Sequence, residues 1–292
     1  MTETTSRESA RGGIVLGQNN YGKSEVRLVK VKRDTDRHEL RDLTVDVALE
    51  GDFEAAHVRG DNTGLLATDT MRNTVYALAK DHLTRSIEEF GLKLVDHFLE
   101  AGPTVERARV RIAEHSWTRI EVNGRGHEHS FVRGSGERIA MVRGEAGGTR
   151  VKAGIDDLLV LKTTNSGWEG FLRERFTTLP ETDDRILATK ITANWTYGDA
   201  NVDFDRLWHG VRGRILETFT DHYSPSVQNT LYRMGEAVLE AFTEIQKIHL
   251  SLPNKHHLLY DVERFGMENE GEIFHATSEP YGLIEGTVER AG

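Results

Sequence analysis

The side chains of this chain that could do chemistry are scattered, and their spacing alone does not assemble a site. Lys23, in NNYGKSEV, could take or give a proton, but a lysine ahead of a strand is ordinarily a solvated charge. Thr68 and Asp69, in LATDTMRNT, stand where a helix N-cap is expected, and capping would account for either. Arg185, in ETDDRIL, follows two aspartates, so a surface ion pair is its ordinary reading. Gln228 comes just after SPSV, early in a helix, where an exposed polar residue is unremarked. His127 and His129, in GHEHSF, share one strand face and could ligate a metal. With no cysteine and no evident third ligand, they read better as strand residues satisfying hydrogen bonds. His256 and His257, in SLPNKHH, are adjacent on a strand, so at most one is expected to face any given pocket. No HExxH, P-loop or GxGxxG pattern is present.

The bulk composition narrows the chemistry further. The chain has 292 residues, 37% hydrophobic and 29% charged, which is ordinary for a globular protein with substantial cores. Cysteine is absent, which removes disulfides, thiolate nucleophiles and Cys-ligated metal centres together. The formal net charge of -10 disfavours a nucleic-acid backbone as partner, while leaving room for a small anion held by a local positive cluster. No apolar run approaches the roughly 20 residues a membrane-spanning helix needs. The opening MTETTSRESARGG has no apolar core and reads as a loose tail, assigned here to residues 1–20.

The elements that must position these residues follow from periodicity. Strands are expected at 25–33 and 43–49, the second alternating Leu43, Val45, Val47 and Leu49, with 34–42 as the hairpin loop. Two helices follow, from Thr68 to about Lys80 and from Ser86 to about Ala101, the latter stopped by Gly102-Pro103. Strands resume at 107–120 and 129–143. The second half repeats the order, with strands at 151–163 and 186–197, helices at 205–221 and 226–244, and strands at 247–261 and 281–289. The pattern is ββααββ written twice, about a Gly-rich joint at 144–148, which sets the expected units at 21–147 and 148–292. Such runs imply an α+β fold with antiparallel sheets. A sheet covered on one face leaves edge strands unresolved, and pairing with a second chain into a barrel would remove them.

Taken in order, several segments carry a resemblance: YGK at 21–23, LATDT at 66–70, HSWTRI at 115–120 and HEHSFVR at 127–133. GFLRERFTTLPETDDRIL at 170–187, SVQNTLYRM at 226–234, SLPNKHH at 251–257 and PYGLIEGTV at 280–288 complete it. Together these resemble the urate oxidase (uricase) family over nearly the whole chain, from Tyr21 to about Val288. The resemblance implies the tunnelling fold, tandem ββααββ units closing into barrels between subunits of a homotetramer. It also implies an interface active site, with Lys23, Thr68 and Asp69 from one chain and Trp168, Arg185, Val227, Gln228, Asn254 and His256 from its neighbour. The family's stacking residue is usually Phe; the matching position here is Trp168, with Phe171 close by.

The implied reaction converts urate, oxygen and water into 5-hydroxyisourate and hydrogen peroxide, with no metal or flavin. Arg185 offers a rigid fork of donors to the edge of a planar anion. Gln228 supplies a donor and an acceptor to the opposite edge, and the Val227 backbone adds a contact. Thr68 is a poor base alone; Lys23 could take its proton if burial favoured the neutral amine, and His256 could extend the relay. Asn254, with Thr68, would hold oxygen and then water above the ring. Asp69 is expected to act through its N–H, because a carboxylate facing the anion would repel it. The competing readings are another enzyme of the same fold acting on a pterin or purine, such as a GTP cyclohydrolase, which would want a zinc site with Cys, or a neopterin aldolase, and a non-catalytic purine- or pterin-binding homo-oligomer. The C-terminal TVERAG lacks a Ser-Lys-Leu address, which favours a bacterial-type cytoplasmic enzyme.

Overall fold

The computed structural model describes residues 13–291. Of the expected N-terminal tail, residues 1–12 lie outside the described residues. Two runs of strand–strand–helix–helix–strand–strand follow one another. The first comprises β1 (Tyr21–Lys32), β2 (Glu39–Gly51), α1 (Thr68–His82), α2 (Ile87–Ala101), β3 (Val105–Val122) and β4 (Arg125–Glu145). The second comprises β5 (Gly148–Lys162), β6 (Leu187–Tyr197), α3 (Phe204–Thr220), α4 (Val227–Ala241), β7 (Ile245–Leu259) and β8 (Phe274–Glu289). All eight strands form one antiparallel sheet in sequence order, β1 to β8. The joint at 144–148 is a tight hairpin inside that sheet, closed by the pair Glu145↔Gly148. Gly147 and Gly148 take φ of 117° and 133°, conformations that a side chain would strain.

Alternation decides the two faces of the sheet. Leu43, Val45, Val47 and Leu49 are buried under the helices, where they meet Phe90, Leu94 and Phe98 of α2. In the second half Ile191, Ala193 and Trp195 face the same layer as Leu207, Val211, Met234 and Val238. Glycine permits the close helix-to-sheet approach in each half. A Cβ on Gly91 would lie 2.7 Å from Val142 Cγ2, and one on Gly235 would lie 2.5 Å from Val288 Cγ2. The opposite face is polar, carrying Asp42, Thr44, Asp46 and Glu50 on β2 beside Arg107, Arg109 and Arg111 on β3. The two halves are also linked by Arg138 on β4, which makes a bidentate ion pair with Glu88 on α2 of its own half and reaches Asp205 on α3 of the other at 2.6 Å.

Several expected boundaries move. β1 starts at Tyr21 and β2 at Glu39, so 39–42 is strand rather than loop, and β8 starts at Phe274 rather than 281. The added residues include Leu40 and Phe274 but carry no regular apolar alternation, and they join the strands through ladder pairs such as Tyr21↔Leu49, Lys32↔Glu39 and Leu259↔Phe274. Pro280 is tolerated within β8 because that strand is an edge, with β7 as its one partner. β1 is the other edge, so both ends of the sheet carry an unpaired ladder. No helix among the described residues is long and apolar enough to cross a membrane.

Candidate active site

A cleft of about 830 Å³ opens between the long β5–β6 connection, the start of α4 and the outer ends of β7 and β8. Trp168, Arg185, Val227, Gln228, Asn254 and His256 all line it, although they span 89 positions of sequence, from 168 to 256. That volume is typical of small-molecule sites.

The β5–β6 connection, residues 163–186, has no regular secondary structure and is held by specific hydrogen bonds. Trp168 and Thr182 form a small antiparallel bridge, Trp168 N donating to Thr182 O at 2.7 Å and Thr182 N to Trp168 O at 3.1 Å. Gly167 N donates to Ser224 O at 2.8 Å, and Ser224 N donates to Asn165 O at 3.0 Å. These bonds fasten the connection to the turn before α4. Ser226 caps that helix by accepting from Asn229 N at 3.1 Å. The N–H groups of Val227 and Gln228, in the helix's first turn, have no intrahelical acceptor. They and the positive end of the helix dipole make this edge of the cleft favourable to an anion.

Arg185 sits against that end with no carboxylate beside it. Its Nε is buried without an acceptor. Burial pushes its guanidinium below the ordinary arginine range, and the one ionisable neighbour acting on it is the Tyr223 phenol. The expected surface ion pair with the preceding aspartates is therefore replaced by an unneutralised cation. Asp184 is turned elsewhere: it accepts from Thr164 Oγ1 and from Asn165 N, each at 2.8 Å.

Of the two candidate aromatic rings, Trp168 borders the cleft. Phe171 lies behind it, with ring centroids 5.6 Å apart and planes 11° from parallel. Asn254 pairs with Thr189 of β6 and Gly282 of β8, and the β7–β8 register slips between Asn254 and His256. Both His256 and His257 border the cleft, which corrects the expectation that one at most would do so. The two pair in regular register with Thr277 and Ala276, so alternation holds there, and it is the cleft, running along residues 256–259, that reaches both faces of this end of β7.

Lys23, Thr68 and Asp69 do not line this cleft. They belong to the β1 edge, where Leu66 N donates to Tyr21 Oη at 3.0 Å and draws the approach to α1 against the start of β1. Gly22 lets β1 lie close on β2, since a Cβ there would stand 1.8 Å from Val47 O. Thr68 and Asp69 are the first two residues of α1, and the cap position belongs to Ala67, which makes no side-chain cap. Capping therefore does not account for Thr68 or Asp69. The Asp69 carboxylate is occupied along its own helix by Arg72 at 2.7 Å and Asn73 Nδ2 at 3.0 Å. Its N–H stays at the helix's open end. His127 and His129 pack edge to face on each other, centroids 4.6 Å apart, remote from either group in sequence.

Leu179, Ile186, Leu258, Phe274 and Ile284 complete the apolar lining of the cleft, and Glu181, Asp184 and Glu270 are the acidic residues on it. None is singled out by the sequence as a site residue, because nothing local to a strand or a connection says which of its residues will border a cleft.

Comparison with known proteins gives one consistent outcome. A family model described as uricase matches residues 19–141 and 151–285. A uricase of Arthrobacter globiformis is 48% identical over 291 residues, covering 99% of this chain and 95% of that one. A uricase of Dictyostelium discoideum is 40% identical, covering 94% and 98%. The crystal structure of the uricase from Arthrobacter globiformis superimposes with a TM-score of 0.90 at 49% identity, covering 96% of each chain.

Proposed function

Since the chain belongs to the uricase family and is a urate oxidase, we propose that the cleft is half of an active site completed by Lys23, Thr68 and Asp69 of a second copy. The observation that carries this reading is the convergence of an unneutralised Arg185 with the amino end of α4 in one cleft. Arg185 takes one edge of the planar urate anion and Gln228 with the Val227 N–H takes the other, while the Trp168 ring lies against its face. Asn254 and His256 border the space where oxygen, and later water, meets the ring.

Oxidation then draws its electrons from urate itself. A doubly deprotonated urate passes two electrons to oxygen, water adds at the oxidised carbon, and 5-hydroxyisourate and hydrogen peroxide leave. The protein's part is to hold the anion and move protons. Thr68 relays one proton toward Lys23, and His256 orders water. Metal and flavin have no part in this scheme. The two open edges, β1 and β8, support closure of the sheet with other copies, and the homotetramer is the assembly we propose. The same reading places the enzyme in the cytoplasm.

Lys23→Met tests the relay: turnover falls strongly while binding of an unreactive urate analogue is retained, and equal loss of both would remove Lys23 from it. Chelator-treated enzyme consuming urate and oxygen in equal amounts, with peroxide appearing, is the expected stoichiometry. Urate binding without oxygen uptake would instead favour the non-catalytic purine-binding alternative.

A further inference from the structure

The acid beside Arg185 has a place in the fold that the scheme above leaves unused. Asp184 is the residue immediately before the substrate-facing cation, yet its carboxylate makes no ion pair with it. Asn165 takes a left-handed φ of 66°, which turns successive backbone N–H groups toward a common point. The Asp184 carboxylate occupies that point, accepting from Asn165 N and from the Thr164 hydroxyl at 2.8 Å each. Thr164, with the N–H groups of Asn165, Ser166 and Arg185, holds this carboxyl below the ordinary aspartate range.

The backbone around Asp184 is tied into the same knot. Its carbonyl accepts from Thr182 Oγ1 at 2.7 Å, and Thr182 is the partner of Trp168 in the small bridge. On the other side, Asn165 O accepts from Ser224 N, two residues before the α4 cap. Asp184, through its carboxylate and its carbonyl together, therefore joins the three pieces of chain that carry the ring, the cation and the helix terminus.

We propose that Asp184 is a positioning residue for urate binding: seated in the Thr164–Asn165 cradle, it aims Arg185 into the cleft and leaves that guanidinium free of any internal counter-charge. This rests on the assignment of Arg185 to the urate anion. An aspartate free to swing would pair with Arg185 and cancel the charge the substrate needs. Holding the carboxylate on the Thr164 hydroxyl and the Asn165 N–H prevents that. Asparagine is a poor replacement, because its NH₂ group faces donors where an acceptor is required.

The test is steady-state kinetics of Asp184→Asn, Thr164→Val and Arg185→Met, with inhibition by xanthine measured at a pH where it is uncharged. For Asp184→Asn the KM for urate rises about tenfold with kcat within about threefold, the pattern of lost uniform binding. The inhibition constant of uncharged xanthine stays within about twofold, because the loss is specific to the anion. Thr164→Val moves urate KM in the same direction by less, and it carries the test if Asp184→Asn fails to fold. Equal weakening of urate and xanthine would make Asp184 a structural residue only and overturn the proposal. Unchanged urate KM in Asp184→Asn, with Arg185→Met strongly impaired, would overturn it while leaving the Arg185 assignment intact. Unchanged urate KM in Arg185→Met would remove both.

Discussion

Replacing Arg185 by methionine should harm function and help the fold at the same time. The side chain carries a buried Nε with no acceptor, and burial disfavours its charged form. Leaving a buried donor unsatisfied costs about 1–3 kcal/mol. Methionine keeps an unbranched apolar stem and removes that cost. For a chain of this size each kcal/mol moves Tm by about 2 °C, so the variant should melt about 2–6 °C higher. The opposite effect falls on catalysis: losing two charge-assisted hydrogen bonds to urate costs about 3–5 kcal/mol, or roughly 10²–10⁴-fold in kcat/KM. The assay is differential scanning calorimetry in buffer free of competing anions, beside urate depletion followed by absorbance. A bound urate analogue should raise the wild-type Tm and leave the variant's unmoved, since ligand stabilisation scales with affinity. A variant that melts below the wild type would show that Arg185 is partnered within the fold, and the desolvation argument would fall.

Two further outcomes follow from neighbouring residues. Trp168→Phe keeps a ring in the slot and should hold urate KM within about threefold, whereas Trp168→Ala should raise it about tenfold; equal effects would shift the stacking role to Phe171. His222 sits at the end of α3, its Nε2 3.1 Å from Thr230 Oγ1, and burial lowers its pKa from 6.5. The unfolded chain therefore binds this proton more readily, so the stability the neutral ring lends is full above about pH 6.5 and is lost as pH falls toward the folded value. Thermal melts from about pH 7.5 down to about pH 5.5 should fall less steeply for His222→Asn, and parallel curves would exclude the residue as a contributor.

The order of elements was legible because apolar alternation and helical periodicity are local properties. Leu43 to Leu49 announced both a strand and its buried face, and Phe90, Leu94 and Phe98 announced a helix and its core side. Strand ends were less legible where the residues are polar: Glu39–Asp42 look like a loop because their pairing, not their burial, makes them strand. The site followed the same division. Arg185 between two aspartates and an isoleucine reads as an ordinary ion pair, and only the cradle at Thr164 and Asn165 shows why Asp184 is unavailable to it. Alternation gives His256 and His257 opposite faces, but the cleft takes in the consecutive residues 256–259 at the end of β7, an extent that no local pattern announces. Thr68 and Asp69 looked like caps, while the backbone gives that position to Ala67.

The account's central claim is that Lys23, Thr68 and Asp69 act on a urate held by Arg185 of another copy. Lys23→Met and Arg185→Met subunits, each nearly inactive alone, can be unfolded together, refolded as a mixture and assayed for urate depletion. Mixed assemblies contain interfaces where an intact Lys23 edge meets an intact Arg185 cleft, so activity should return to about a quarter of wild type under random pairing. A mixture no more active than its parents, in assemblies shown to contain both subunits, would place the two halves of the site in a single chain and contradict the claim.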